Sequence, residues 1–175
     1  MSKIGFKIQY YYSYRGKMLK EALEFKRSSR TGQNKLRLEL SRDNEEVGSI
    51  ALTIDQRGVV LPSCVGFSVE KSGEGYGERL LLRGFSHAQQ IAKDIGLNPK
   101  WAYIYYTLAV EDEVNVVLPL ERKVTSFGFY STIFNVVADQ ELRELQAEYP
   151  NQPQLGGCGS WIMLMEDFTA RYPHP

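Results

Sequence analysis

The feature that most constrains the fold of this chain is a run of alternating segments that begins at residue 35. In KLRLELS (35–41) and VGSIALTID (47–55), hydrophobic side chains occupy every second position, and polar residues separate the two segments. A period of two places these side chains on one face of an extended chain, and a short polar turn is typical of a hairpin. The two segments are therefore predicted to pair as antiparallel β-strands.

A third alternating segment, VVLPSCVGFSVE at 59–70, extends this meander after a short turn. Its hydrophobic side chains again share one face. Pro62, however, has no N–H group to donate to a neighbouring strand. We therefore expect an irregularity or a free edge near the start of this strand.

The chain before the meander predicts a strand and then a helix. IGFKIQYYY at 4–12 alternates and is assigned to a first strand. In 13–27, apolar residues recur at helical spacing with Lys and Glu between them, which predicts an amphipathic helix. The basic residues of 15–37 are interpreted as a solvated helix face and loop.

After the meander, a helix is predicted from about Glu78 to Gly96, where glycine is suited to end it. His87 lies off the apolar stripe of this helix and is interpreted as a surface residue without a catalytic role. The stripe is predicted to face the core and consists of Leu81, Phe85, Ala88, Ala92 and Ile95. The further predictions are a strand at 101–110, a short helix at 124–132, a strand at 134–138, a short helix at 138–149, a connection at 150–160 and a last strand at 161–168.

This order of elements predicts the fold class. Helices and strands alternate around a three-strand meander, with one parallel step expected after the central helix. The chain is therefore predicted to be a single α/β (α+β) domain over residues 1–175, with a mixed, mostly antiparallel central sheet flanked by helices. Residues 169–175 are predicted to form a loosely ordered tail.

Composition excludes several classes of function. Twenty-one basic and twenty-one acidic residues give a formal net charge of zero, which disfavours nucleic acid and anionic membranes as partners. Two cysteines and two histidines form no metal-ligand spacing and no disulfide framework. No apolar run approaches the ~18 residues of a membrane span. We therefore expect a cytoplasmic protein without a metal site.

A glycine-rich loop, SGEGYG at 72–77, separates the third strand of the meander from the central helix. Glycine lets the backbone approach an anion closely, and a helix N-terminus offers unpaired N–H groups and a partial positive charge. The loop lacks the Lys-Ser/Thr pair of nucleoside-triphosphate loops and the downstream acidic residue of the dinucleotide fingerprint. The succession of strand, glycine loop and helix therefore predicts a phosphate-binding site.

Four motifs, in this order along the chain, resemble those of the GNAT superfamily of acetyl-CoA-dependent N-acyltransferases. Val47-Gly48 follows the polar turn of the hairpin, as in the family. SGEGYG is similar to the family's loop Q/R-x-x-G-x-G/A, with Ser72 at the Q/R position. FGFYSTIFN resembles the segment Phe-Tyr-x-x-x-Gly-Phe at Phe129, Tyr130 and Phe134, with Ile133 in place of glycine. WIMLMEDF resembles the closing strand.

The resemblance implies an N-acetyltransferase that moves an acetyl group from acetyl-CoA to an amine by direct attack in a ternary complex. The loop N–H groups would face the coenzyme A pyrophosphate, and the strand before the loop would pair with the pantetheine amides across a gap at about 102–108. Tyr130 would be the general acid. The implied coenzyme-binding residues are Phe67, Ser68, Val69, Ser72, Gly73, Glu74, Gly75, Tyr76, Gly77 and Glu78.

Several alternatives stay open at this point. The amine is a small molecule or a protein, no general base is assigned, and a homodimer is neither favoured nor excluded. Carboxylates at Glu74 and Glu78 would repel a pyrophosphate unless they point to solvent, and Arg79 and Arg83 are expected to offset them. A catalytically inactive GNAT-like binding or regulatory domain is the second hypothesis. The third is an unrelated α/β protein whose glycine loop is only a tight turn.

Overall fold

A computed structural model describes residues 5–27, 34–62, 67–69, 73–108, 124–131, 139–149 and 157–173. Within these ranges the chain forms nine strands and three helices. The strands are β1 (Gly5–Tyr14), β2 (Lys17–Lys26), β3 (Asn34–Arg42), β4 (Glu45–Ile54), β5 (Gly58–Pro62), β6 (Phe67–Val69), β7 (Trp101–Leu108), β8 (Tyr130–Ser131) and β9 (Gly157–Leu164). The helices are α1 (Tyr76–Asp94), α2 (Gln140–Glu148) and α3 (Met165–Arg171).

All nine strands belong to one open sheet of order β1-β2-β3-β4-β5-β7-β9-β8, with β6 paired to β4. Among the described strand pairs, only β5 and β7 run parallel. The fold is therefore α+β with a mostly antiparallel sheet, as the order of elements predicted.

The hairpin of β3 and β4 is confirmed. Leu38 faces Ile50 across the strand pair, and both side chains are buried. Asp43 and Asn44 connect the strands with φ angles of 52° and 67°. Asp and Asn tolerate this left-handed conformation, which suits the right-handed twist of a tight hairpin.

The helix predicted at 13–27 is wrong, because Lys17–Lys26 form β2 between β1 and β3. The inward positions of β2 carry Leu19, Glu21, Leu23 and Phe25, all buried. The carboxylate of Glu21 at an inward position interrupts the alternation of apolar and polar residues that is typical of a strand. Met18 and Ala22 are apolar residues on the other face, and together with the inward residues they gave a spacing typical of a helix. Pairing with two neighbouring strands decided the conformation over local propensity.

The third strand of the meander is divided into β5 and β6, which both pair with β4. A step of three residues along β4, from Thr53 to Ile50, corresponds to a step of seven from Val60 to Phe67. The extra residues lie between Val60 and Phe67, so the expected irregularity in this strand is confirmed.

Helix α1 covers one face of the sheet as predicted. Its apolar stripe is buried from Leu81 to Ala92, and Ile95 packs against the same core. The helix lies close to β4, since a Cβ atom at Gly84 would be 3.1 Å from Ile50 Cγ2. Gly96, with φ of 77°, ends the helix as expected, and its N–H group donates to Lys93 O.

The opposite face of the sheet is covered at β5, β7 and β9 by α2. Leu142 and Leu145 of this helix belong to a second buried cluster with Trp101, Tyr103 and Ile162. The predicted strand at 101–110 and helix at 138–149 thus correspond to β7 and α2, and helices flank both faces.

The C-terminal predictions need correction. The last strand, β9, begins at Gly157 inside the expected connection and ends at Leu164, not at residue 168. Met165 and Phe168, three residues apart, are both buried on the helix α3. Residues 169–171, which we assigned to a loosely ordered tail, complete this helix.

The segment before α2 agrees only in part with the predicted helix and strand. The helix expected at 124–132 is a single turn over residues 124–126, and Gly128, with φ of 96°, leads into β8. The strand predicted at 134–138 lies outside the described residues.

Candidate functional site

Strand pairing is described up to the segment that precedes the glycine loop. The parallel pairing of β5 and β7 extends from Gly58–Trp101 to Pro62–Tyr105. Strand β7 continues to Leu108 and pairs with β9 on its other side, whereas β6 pairs with β4. Residues 63–66 and 109–112 lie outside the described residues, so the gap that we expected at about 102–108 stays a prediction.

The glycine loop leads from β6 into α1. Gly73 and Gly75 have φ angles of 84° and 82°, a conformation that favours glycine. Helix α1 begins at Tyr76, two residues earlier than predicted, and its first bond runs from Arg79 N to Gly75 O at 3.1 Å. Among the residues that the structure describes, no side chain caps this end of the helix. An N-terminus without a capping side chain leaves backbone donors for another acceptor.

The carboxylate of Glu74 is neutralised by two cations from neighbouring turns. Its Oε2 atom accepts from Lys17 Nζ and from Arg42 Nη1, each at 2.9 Å. The hydrogen bond from Lys17 is the main reason that the pKa of Glu74 is lowered to about 2. Arg42 also donates to Tyr76 Oη at 3.2 Å. The repulsion that Glu74 would exert on a nearby anion is thus compensated by residues of other strands.

The hairpin of β1 and β2 covers one side of the loop. A Cβ atom at Gly75 would lie 2.9 Å from Tyr14 Oη and 3.2 Å from the Arg15 guanidinium. A Cβ atom at Gly73 would have nothing within 4 Å. The loop is therefore closed by the hairpin at Gly75 and open at Gly73.

A buried polar cluster connects the same hairpin to α1. Glu21 has no exposed surface, and its carboxylate accepts from Arg83 Nη2 at 2.6 Å and from Arg83 Nε at 2.9 Å. His87 Nε2 lies 2.7 Å from Glu21 Oε1. Burial acts to raise the pKa of Glu21, but the hydrogen bonds from His87 and Arg83 outweigh it and hold this pKa at about 2.

The sequence did not reveal this cluster. His87 was predicted to be a surface residue and this is wrong, because its side chain is 14% exposed and its ring stacks on Tyr10 at 5.9 Å. The available signal was the alternation of β2, in which Glu21 shares its face with Leu19 and Leu23. The side chain of Glu21 therefore points into the core, and a buried carboxylate requires a hydrogen-bonding or charged partner.

Arg79 and Arg83, which we expected to offset the charge of Glu74 and Glu78, make other contacts. Arg83 binds Glu21, and the guanidinium of Arg79 lies 4.9 Å from the ring centre of Tyr12 and 5.5 Å from that of Tyr14. Such stacking attaches the hairpin to the first turns of α1. Lys17 and Arg42 supply the compensating charge for Glu74 instead.

Tyr130 is not brought to the glycine loop. It lies on β8 opposite Ile162, which faces Tyr103 on β7, which in turn faces Val60 on β5. Tyr103 is two residues, about 7 Å along the strand, before Tyr105, where the described pairing of β5 with β7 ends. Across the sheet, β9 lies between β7 and β8, so Tyr130 is two strand spacings, about 10 Å, from β7. Burial raises the pKa of Tyr130, with a further contribution from Asp167 in the first turn of α3.

The other sequence-derived site residues are located as far as the structure describes them. Phe67 and Ser68 contribute the backbone of β6, and Val69 packs against the main core. Ser72 lies outside the described residues.

Two broader searches cover only the described ranges. No group of three or more His, Cys, Asp or Glu residues there is placed to hold a metal ion. No helix there has the length and apolar character needed to cross a membrane. Comparisons with protein-family models, with curated proteins and with solved structures returned no match to this chain.

Proposed function

We propose that this chain is an acetyl-CoA-dependent N-acetyltransferase of GNAT type. The proposal depends on one observation above all: β6, which pairs with β4 along one edge, leads into a loop with Gly73 and Gly75 at positive φ and into the start of α1, where no side-chain cap is described. An extended ligand with amide groups fits such an edge, because it can form main-chain hydrogen bonds as an added strand.

The proposed coenzyme position uses backbone groups more than side chains. The pantetheine amides would pair with the edge of β6 that faces away from β4. The pyrophosphate would accept hydrogen bonds from the loop and the uncapped N-terminus of α1. Lys17 and Arg42 already neutralise Glu74, and Arg15 donates to Glu74 O at 3.3 Å from the hairpin side. This basic surround supports binding of an anion without the usual Q/R residue at position 72.

The proposed reaction forms an amide and breaks a thioester. A neutral amine attacks the thioester carbonyl carbon, the C–S bond breaks, and the leaving thiolate of coenzyme A takes up a proton while the nitrogen loses one. Because Tyr130 lies on a different row of the sheet, we do not place it at the reacting carbonyl.

A second candidate function is a domain that binds the coenzyme without transferring its acyl group. The position of Tyr130 favours it, since the residue that the motif indicated as the acid lies about 10 Å beyond β7. Binding alone needs the edge of β6 and the loop but no acid.

Calorimetric titration with acetyl-CoA tests both candidates. We expect the wild-type protein to bind, and the variant Gly77→Leu to lose binding, because a leucine beside the helix N-terminus obstructs an approaching anion. Gly77 is helical and has no positive φ, so the backbone conformation there accepts a side chain. The matched control is Gln90→Leu, on an exposed position of the same helix, which should bind as the wild type does.

The outcomes are distinguishable. Release of free thiol with an amine panel supports the transferase, whereas binding without thiol release supports the second candidate. No binding at high micromolar acetyl-CoA, or equal binding by Gly77→Leu, would contradict both.

A further inference from the structure

A large cavity lies at the opposite end of α1 from the glycine loop. It has a volume of about 620 Å³ and is formed by the C-terminal half of α1, the segment 98–100 and α3. Gln89 is thirteen residues after the first residue of α1, which places it about 20 Å along the helix axis. The cavity is thus separate from the proposed coenzyme site, and its size is that of a small-molecule site.

Gln89 is the feature that distinguishes this cavity from an ordinary surface depression. Its side chain lines the cavity although the residue is only 9% exposed. Among the described residues, nothing donates to or accepts from its amide group. The amide atoms of Gln89 are not among the fully buried polar atoms that lack a partner in the described residues, so the amide group is open to the cavity. It is therefore available to a ligand that binds there.

Lys93 adds a positive charge to the lining of the cavity. It lies four residues after Gln89, so the two side chains are neighbours on one helix face. In the described part of the chain, Lys93 pairs with no carboxylate. The other lysine of the lining, Lys100, is already paired with Asp139. The amide N–H of Gln89 and the ammonium of Lys93 together form a pair of donors suited to a carboxylate.

The other residues that line the cavity indicate the chemical character of the rest of the ligand. Most of the accessible lining is apolar, and one wall carries a carboxylate, Glu166, which is exposed to solvent on α3. The apolar lining residues are Pro99, Leu164, Met165 and Ala170. We propose that this cavity binds a monocarboxylate with an apolar body, the carboxylate at Gln89 and Lys93 and the body between α1 and α3.

The probe is 4-phenylbutyrate, added to the full chain labelled with ¹⁵N and followed by two-dimensional NMR. We expect saturable shifts of the Gln89 side-chain amide with a Kd of about 1 mM. 4-Phenylbutanol and 4-phenylbutylamine, which keep the apolar body but lack the carboxylate, should bind at least about tenfold more weakly.

Substitutions assign the donors. Lys93→Gln and Gln89→Leu should each weaken binding of 4-phenylbutyrate, the former by about tenfold. Lys35→Gln, an exposed lysine on β3 away from the cavity, should leave it unchanged. The proposal is overturned if Gln89 shows no saturable shift by about 10 mM. It is also overturned if the alcohol or the amine binds as well as the acid, or if Lys93→Gln binds as the wild type does.

Discussion

His87 Nε2 lies 2.7 Å from Oε1 of Glu21, a carboxylate that has no exposed surface. The contact joins α1 to β2, and Arg83 binds the same carboxylate from one helical turn earlier. Together with Arg79 on the rings of Tyr12 and Tyr14, it attaches the hairpin of β1 and β2 to the helix that begins at the glycine loop. The position of the hairpin over Gly75 therefore depends on polar as well as apolar contacts.

Removing this carboxylate should destabilise the protein strongly. Glu21→Ala leaves the Arg83 guanidinium in a poorly hydrated position without its partner, which typically costs about 3 kcal/mol. Urea unfolding measures the difference. Glu24→Ala on the same strand is the control, since Glu24 pairs with Lys7 and Lys26 at the surface and its loss should cost far less. Equal losses in the two variants would contradict the assigned role of Glu21.

The carboxyl group of Glu21 should also make the free energy of unfolding depend on pH. The pKa of Glu21 in the folded protein is about 2, below its ordinary value of 4.5. A lowered folded-state pKa contributes stability that is present above the unfolded-state pKa and lost as the pH falls from about 4.5 towards 2, up to about 3 kcal/mol in total. Unfolding by urea at a series of pH values measures this slope. Glu21→Gln should flatten it, and an unchanged slope in this variant would show that other carboxylates are responsible.

Asp139 should be the main stabilising residue at the start of α2. Its carboxylate accepts from Leu142 N at 3.0 Å and from Trp101 Nε1 at 3.1 Å, and it also pairs with Lys100. Asp139→Ala removes both the cap and the acceptor for the indole, so we expect a loss of about 2 kcal/mol in the free energy of unfolding. Asp139→Asn keeps an acceptor oxygen and should lose less than half as much. A similar loss in both variants would mean that charge, not capping, matters there.

The two loop glycines should differ in their tolerance of a side chain. Both have positive φ, so alanine at either position costs about 1 kcal/mol. Gly75→Ala in addition forces its Cβ against Tyr14 Oη, whereas Gly73→Ala meets open space. We expect Gly75→Ala to be the more destabilising by about 1 kcal/mol or more in urea unfolding. In a Tyr14→Phe background this excess should shrink, and an excess that persists would place the collision elsewhere.

Tyr130→Phe should leave acetyl transfer within about twofold of wild type, because a group that does not reach the reacting atoms supplies no acid catalysis. Tyr130 lies on β8, in the row of Val60, Tyr103 and Ile162, four strands from β4 in the order of the sheet. Initial rates of thiol release at saturating acetyl-CoA provide the measurement. A loss of about tenfold or more with unchanged coenzyme binding would return Tyr130 to the role that its motif indicated.

Local patterns were sufficient where one face of an element is buried and the other is polar throughout. The hairpin of β3 and β4, the apolar stripe of α1 and its end at Gly96 follow directly from such periodicity. The irregularity between Val60 and Phe67 follows from the missing N–H group of Pro62. In these segments the chemistry of neighbouring residues in the chain already specifies the conformation.

Periodicity failed where a polar residue was buried by distant partners. Glu21 faces inward only because Arg83 and His87, more than sixty positions later, supply its hydrogen bonds. Read alone, an inward carboxylate breaks a strand pattern and favours a helix. The end of β9 at Leu164 was missed for a related reason, because a continuous apolar run has no period that marks its end.

The sequence by itself determined the meander, the glycine loop, the central helix and the mostly antiparallel class of the sheet, because each depends on contacts with near neighbours. Only the tertiary structure decided that residues 17–26 are a strand and that Lys17 and Arg42 neutralise Glu74. It also decided that Tyr130 lies away from the loop and that Gln89 faces a cavity. These features depend on which strands pair and on which side chains share a buried volume, and such long-range choices leave no period in the sequence.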